Sequence, residues 1–194
     1  MGENAAGMQR GVPEGMDRET LEFAQQVFEL VRSGHADRLK PLLERGLPAN
    51  LCNQRGDSLL MLASYHGHFD TAQALLEHGG DTELRNDMGQ TPLAGAAYKG
   101  DLAMVRLLLD HGASVEGAAP DGKTSLMLAA MFNRVDVVEL LLARGADAHA
   151  QDAKGMTALA AAHAMGARDT AALLESRSKP AAGSGARAPL ETAR

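Results

Sequence analysis

The sequence predicts an all-α solenoid of about five 33-residue helix–turn–helix units with β-turn tips, and three observations predict it. Glycine recurs at one period in three interleaved registers: Gly56, Gly89, Gly122 and Gly155; Gly46, Gly79, Gly112 and Gly145; and Gly34, Gly67, Gly100 and Gly166, with Asn133 filling the one gap. Asn suits that gap because it is among the few non-glycine residues that tolerate positive φ. The apolar segments between the glycines repeat as well, Val105 and Leu107 to Leu109 matching Val137, Val138 and Leu140 to Leu142. Composition agrees: 45% of the 194 residues are hydrophobic, yet only 3% are aromatic and tryptophan is absent. A core without large rings has to be filled by Leu, Val, Met and Ala, which suits short helices packed closely. Self-similarity at a fixed period marks a stacked-repeat architecture.

The elements follow in chain order. Residues 1–16 are rich in Gly, Pro and polar side chains and read as a flexible segment. Residues 17–52 form an N-terminal capping unit whose first helix starts near Asp17 and carries a stripe of Leu21, Ala24, Val27, Phe28 and Val31. Pro41 falls in the second helix of this unit, removes the bond to Asp37 and is expected to kink or shorten the helix. Units at 53–85, 86–118 and 119–151 follow. In the best of them Thr91 caps a helix with Pro92 at its first position, where no amide hydrogen is needed. That helix runs to about Lys99, Gly100 turns the chain, and a second helix ends at Gly112 in a left-handed conformation. A truncated fifth unit spans 152–176, because Leu173-Leu174 lacks the glycine ending. Residues 177–194 read as a disordered basic tail, with Arg177, Lys179, Arg187 and Arg194 against Glu191. Helices of this length are marginal alone and cohere by stacking on neighbouring copies.

The quoted motifs, Gly89-Gln-Thr-Pro-Leu93, Val137-Val-Glu-Leu-Leu-Leu142 and Gly145-Ala-Asp147, resemble the ankyrin repeat over roughly residues 20–176. The resemblance implies a protein–protein interaction module that binds and regulates, inhibits or scaffolds a partner protein through its concave face. It also implies where: at the turn tips and the exposed side of the first helices. The turn tips are Gln54, Arg55, Asp57, Asp87, Met88, Gln90, Asp121, Lys123, Lys154 and Met156. The helix positions are Tyr65, His66, Tyr98, Lys99, Met131, Phe132, Ala164 and Met165. Tyr65, Tyr98 and Met131 stand 33 apart and should form a line. Aromatics and Met are enriched in interface cores, so this line is the expected contact stripe. The sequence departs from the family at the His of the T-P-L-H motif, which becomes Met61, Ala94, Met127 and Ala160, while Ser58-Leu59 replaces Thr-Pro. That His often ties neighbouring turns together, so looser turns are expected.

Other functions are disfavoured by what the chain carries. A net charge of −6 with no basic stripe in the repeats argues against nucleic acid and against an anionic membrane surface. No apolar leader opens the chain, and Ala6 breaks the myristoylation pattern after Gly2, so a cytoplasmic monomer is the expectation. Cys52 is the sole cysteine, which excludes an internal disulfide; it reads as a structural thiol. His66 and His68 flank Gly67 but have no further ligand at usable spacing, and His78 and His111 share a register, so no metal and no cofactor are expected. Asp101, Asp110 and Asp136 sit at helix ends as caps or solvated groups. No nucleophile elbow, phosphate loop or zinc-protease motif is present, and the chain is read as not an enzyme. The alternative reading is an enzyme-associated or weakly catalytic solenoid with a site on the helix face. The arginine- and alanine-rich composition hints at a GC-rich bacterial source, where an immunity, accessory or effector role would fit.

Overall fold

The computed structural model describes residues 18–178. Among them are ten helices in five pairs: α1 (Arg18–Arg32) with α2 (Ala36–Glu44), α3 (Leu59–His66) with α4 (Phe69–Glu77), α5 (Pro92–Lys99) with α6 (Leu102–Asp110), α7 (Ser125–Met131) with α8 (Val135–Ala143), and α9 (Ala158–Met165) with α10 (Arg168–Ser178). The first helix of each pair packs on the first helix of the next, and the second on the second, giving two layers that run the length of the array. The expected segment 1–16, and residues 179–194 of the expected tail 177–194, lie outside the described residues.

Each pair is held by the same positions. Leu60, Leu93 and Leu126 are buried in the first layer, and Leu75, Leu108, Leu141 and Leu174 in the second. Burying such a side chain contributes about 1.5–3 kcal/mol, which an isolated hairpin of eight- and nine-residue helices could not supply. The helix starts are capped as the sequence suggests: the hydroxyls of Ser58, Thr91, Thr124 and Thr157 accept from the amides of Met61, Ala94, Met127 and Ala160. Ser58 therefore performs the threonine's task in its unit. Asp101 caps α6 by accepting from Met104, Asp110 is the last residue of its helix, and Asp136 lies in the first turn of α8.

Asn133 fills the glycine gap as its register demands, with φ of 56°. It also does what glycine cannot. Its Oδ1 accepts from the amides of Asp169 and Thr170, both at 3.1 Å, and its Nδ2 donates to Asp169 Oδ2 at 2.8 Å. One side chain in the fourth unit thereby caps the start of α10 in the fifth.

Two expectations are corrected. Pro41 does not shorten α2, which runs nine residues like α4, α6 and α8. Asp37 and Pro41 both face solvent, so the carbonyl that loses its partner lies on the outer side, while Leu39 and Leu43 stay buried. At the other end α10 continues through Arg177 to Ser178, past the expected close at 176.

Candidate partner-binding groove

The turns between units are built from side chains that accept their own backbone. Asn53 Oδ1 accepts from the amides of Arg55 and Asp57 at 2.8 and 3.0 Å. Asn86 Oδ1 accepts from Met88 and Gln90 at 3.1 and 2.9 Å, and Asp152 Oδ1 from Lys154 and Met156 at 2.8 and 2.9 Å. These are Asx turns repeated at one register. The Met156 and Lys154 amides hold the Asp152 carboxyl below the usual carboxylate range. Ala119 occupies the fourth place in this register and offers no oxygen, and Asp121 Oδ1 instead accepts from Lys123 N at 3.2 Å.

Turns are also tied to turns, which corrects the expectation that loss of the motif histidine leaves them loose. Asp87 N donates to Arg55 O at 3.0 Å, and Ala153 N to Asp121 O at 2.8 Å. Asn86 Nδ2 reaches back to Asp57 Oδ1 at 3.0 Å. Below the tips, Asn50 Oδ1, Glu83 Oε1 and Glu116 Oε1 accept from Asp81, Ser114 and Asp147 of the next unit at 2.8, 2.9 and 2.7 Å. Between the third and fourth units the backbone tie is missing, because the residue in the donor's place is Pro120. Arg85, the last residue of the second unit, links the two successive turns instead, its Nη1 donating to Gly89 O at 3.1 Å and to Ala118 O just before Pro120.

With the turns fixed on one side and α1 on the other, the first helices enclose an open groove of about 850 Å³. Leu21, Ala24 and Phe28 of α1 form one wall, and Leu62, Tyr65, Gly95 and Tyr98 the floor. Arg55, Asp57, Met88 and Gln90 stand on the turn side, and His66 lies at the far rim. Tyr65 and Tyr98 remain 44% and 37% exposed and Met88 68%, so internal packing leaves much of their surface uncovered.

Rings continue this row beyond the groove. Lys99 Nζ lies 4.2 Å from the Tyr65 ring centroid, a cation–π contact. Tyr98 meets Phe132 edge-to-face at 4.5 Å, and Tyr65 meets His66 likewise at 5.5 Å. His66 stacks on His68, whose Nε2 lies 2.7 Å from the Arg32 carbonyl and so carries the hydrogen. Burial holds the His66 imidazole below the ordinary histidine value, and its neighbours His68, Lys99 and Arg32 push the same way.

The remaining expected residues are engaged by neighbours or lie away from the groove. Asp57 lines the groove, but Asn53 and Asn86 donate to its two carboxylate oxygens. Asp121 and Lys123 pair with each other, which lowers the carboxyl's pKa and raises the ammonium's. Met131 is half-buried beside Phe132, Lys154 is an exposed tip, and Met165 is exposed at the end of α9. Asp121, Lys123, Met131, Lys154 and Met165, together with Lys99 and Phe132, lie outside the groove lining. Gly95, Leu128 and Arg32, which do line it, are not among the positions the ankyrin resemblance implies. The 33-residue register that joins Leu62, Gly95 and Leu128 was the available signal.

Among the described residues no group of three or more His, Cys, Asp or Glu side chains could hold a metal ion. The recurring His78 and His111 each place Nδ1 on a carbonyl one turn back, Ala74 at 2.8 Å and Leu107 at 2.9 Å, as helix-end features. Cys52 is half-buried, its Sγ 3.6 Å from Asn50 O, and its backbone bridges Ser58. No helix of the described residues is long and apolar enough to cross a membrane.

Stacked helix pairs, paired turn tips and a groove across the first helices define an α-solenoid repeat protein. The chain belongs to the ankyrin repeat family: the family's description, ankyrin repeats (3 copies), matches residues 27–119 and 114–182. It is similar to an ankyrin repeat protein of Pseudomonas aeruginosa, 62% identical over 51 residues. That match covers 26% of this chain and 30% of the relative's length, under a third of either protein. Ankyrin repeats are in general protein–protein interaction modules.

Proposed function

We propose that this protein is a non-catalytic binding module that seats part of a partner protein in the concave groove and thereby regulates, inhibits or scaffolds it. The observation that carries the reading is the row of Tyr65, Tyr98 and Met88, apolar and aromatic surface positioned by the first helices and bracketed turns yet left partly uncovered. Such residues are the types that dominate binding energy when a partner desolvates them. The charge balance of −6 fits a protein partner better than a polyanion. The resemblance to a Pseudomonas protein and the composition favour a bacterial source, in which we propose a cytoplasmic monomer acting as an immunity, accessory or effector protein.

The test is a double substitution, Tyr98→Ala with Phe132→Ala. The purified chain retains one stoichiometric partner from an extract of its own source, and the double variant loses it while its helical circular dichroism stays unchanged. A Glu139→Ala variant, on the exposed side of α8, retains it. Retention by the double variant would show that this face is not the binding surface.

A further inference from the structure

Resting on that reading, we infer that the groove takes an acidic, amphipathic segment of the partner, seating one apolar side chain in a pit above Gly95 and setting carboxylates against Arg32 and Lys99. Leu62, Gly95 and Leu128 hold equivalent places in three consecutive first helices, and all three line the groove. Glycine weakens a helix interior relative to any ordinary residue, so its presence calls for a cause. Backbone geometry supplies none, since Gly95 lies within α5 and is absent from the positive-φ glycines. Packing supplies none either: a Cβ built there has Tyr65 Cδ2 as its nearest neighbour, at 4.0 Å, an ordinary contact. What the glycine does is remove one leucine side chain from the middle of the floor. The vacancy lies between Leu62 and Leu128, with Tyr65 and Tyr98 beside it. A pit of that size, walled by aromatic rings and leucine, accepts a Leu, Met or Phe side chain.

Charge selects what surrounds that anchor. Arg32 and Lys99 end α1 and α5 along one rim, with the His66 ring at the end of α3 between them, on a chain whose net charge is −6. Cations at helix C-termini suit the helix dipole, but α7 and α9 end in Met131 and Met165, so the dipole does not require them. The nearby carboxylates offset the rim only in part, and none sits between Arg32 and Lys99 in the groove lining. Glu29 approaches Arg32 at 3.7 Å from outside the groove and accepts from the Ser33 hydroxyl. Asp101 accepts from the Met104 amide, and Asp57 is held by two asparagines. Arg55 adds a further exposed cation on the turn side. The cation–π contact with Tyr65 holds the Lys99 ammonium beside the pit.

The experiment pans the full chain against a random twelve-residue peptide phage library and titrates enriched peptides, synthesised with fluorescein, by anisotropy. Enriched peptides are expected to be net negative around a Leu, Met or Phe. Gly95→Leu is expected to raise the thermal midpoint yet weaken these peptides at least tenfold, with Gly95→Ala between it and the native chain. Arg32→Glu with Lys99→Glu is expected to weaken them at least tenfold at low salt, with the gap narrowing as salt is added. Neutral or basic peptides that bind and are lost in Tyr98→Ala would overturn the acidic assignment and leave the binding-module reading standing. Acidic peptides indifferent to Gly95→Leu and to the charge reversal would overturn the pit and the rim. Failure to enrich any peptide would overturn both readings together.

Discussion

Ser125→Pro is expected to stabilise the protein, and the structure supplies both the reason and the size. Ser125 is the first residue of α7, fully buried, and its hydroxyl has no hydrogen-bond partner. An unpaired buried hydroxyl costs about 1–3 kcal/mol. The same register holds Pro92 in the third unit and Ala158 in the fifth, both buried, so the site accepts a ring or a methyl group. Thr124 before it is extended, at φ −87° and ψ 163°, the conformation a following proline demands. A compatible proline adds about 0.4–1 kcal/mol by restricting the unfolded chain. Taking the low part of each range, about 1.5 kcal/mol in all at an m-value of about 2 kcal/mol/M moves the urea midpoint up by roughly 0.75 M. Ser125→Ala isolates the hydroxyl and is expected to give the larger share. Leu59→Pro is the opposing control, because the Leu59 amide donates to Leu51 O at 3.1 Å and the variant loses that bond. Destabilisation by Ser125→Ala would mean the hydroxyl is satisfied, and destabilisation by Ser125→Pro alone would mean the ring does not fit; either refutes the reasoning.

Three further outcomes follow from other details. Ala119→Asn restores the side-chain oxygen that Asn53, Asn86 and Asp152 supply elsewhere, and is expected to stabilise by about 1 kcal/mol, with hydrogen exchange slowed at the amides of Asp121 and Lys123. Asn133→Ala combines the loss of a cap with a left-handed alanine, expected to cost about 2 kcal/mol; exchange should quicken first in α10, whose start Asn133 caps. His66 should titrate below 6.5 by NMR, and Lys99→Ala should raise its pKa by removing one cationic neighbour. Because the folded state binds this proton less readily than the unfolded chain, the associated stability is complete above 6.5 and is lost as pH falls through the folded value. The His66 ring is exposed, so solvent keeps that effect small.

The helix pairs were legible because their cause is periodic. A glycine or asparagine must stand wherever the chain turns left-handed, and a leucine wherever two copies meet, so both signals recur at the spacing of the fold. Asn133 shows how literal that reading is, since it takes the positive φ of the glycines it replaces. What the sequence obscured were relations between different registers. The turns are fastened by Asn53, Asn86 and Asp152, residues of no fixed kind that share only an oxygen at the right place. Asp57 looked available as a turn tip, yet the neighbouring unit's Asn86 occupies its carboxylate. Pro41 looked disruptive because helix rules count bonds, whereas the packing of Leu39 and Leu43 decides whether the helix persists. The groove was legible only as a face: its depth depends on which side chain is missing at 95, a comparison between copies rather than a motif.

Modules joined by main-chain bonds can be reordered freely, because every residue type carries the same amide and carbonyl. The joint at Pro120 forfeits that freedom. Whatever copy stands ahead of it must bring a guanidinium at the place of Arg85, and must also present a glycine at 89, since a Cβ there would fall 2.1 Å from the proline ring. The turn from Arg85 to Gly89 and the turn that begins with Ala118 and Pro120 are thus a matched pair. A chain shuffled from these parts would part at this joint unless the two turns travelled together.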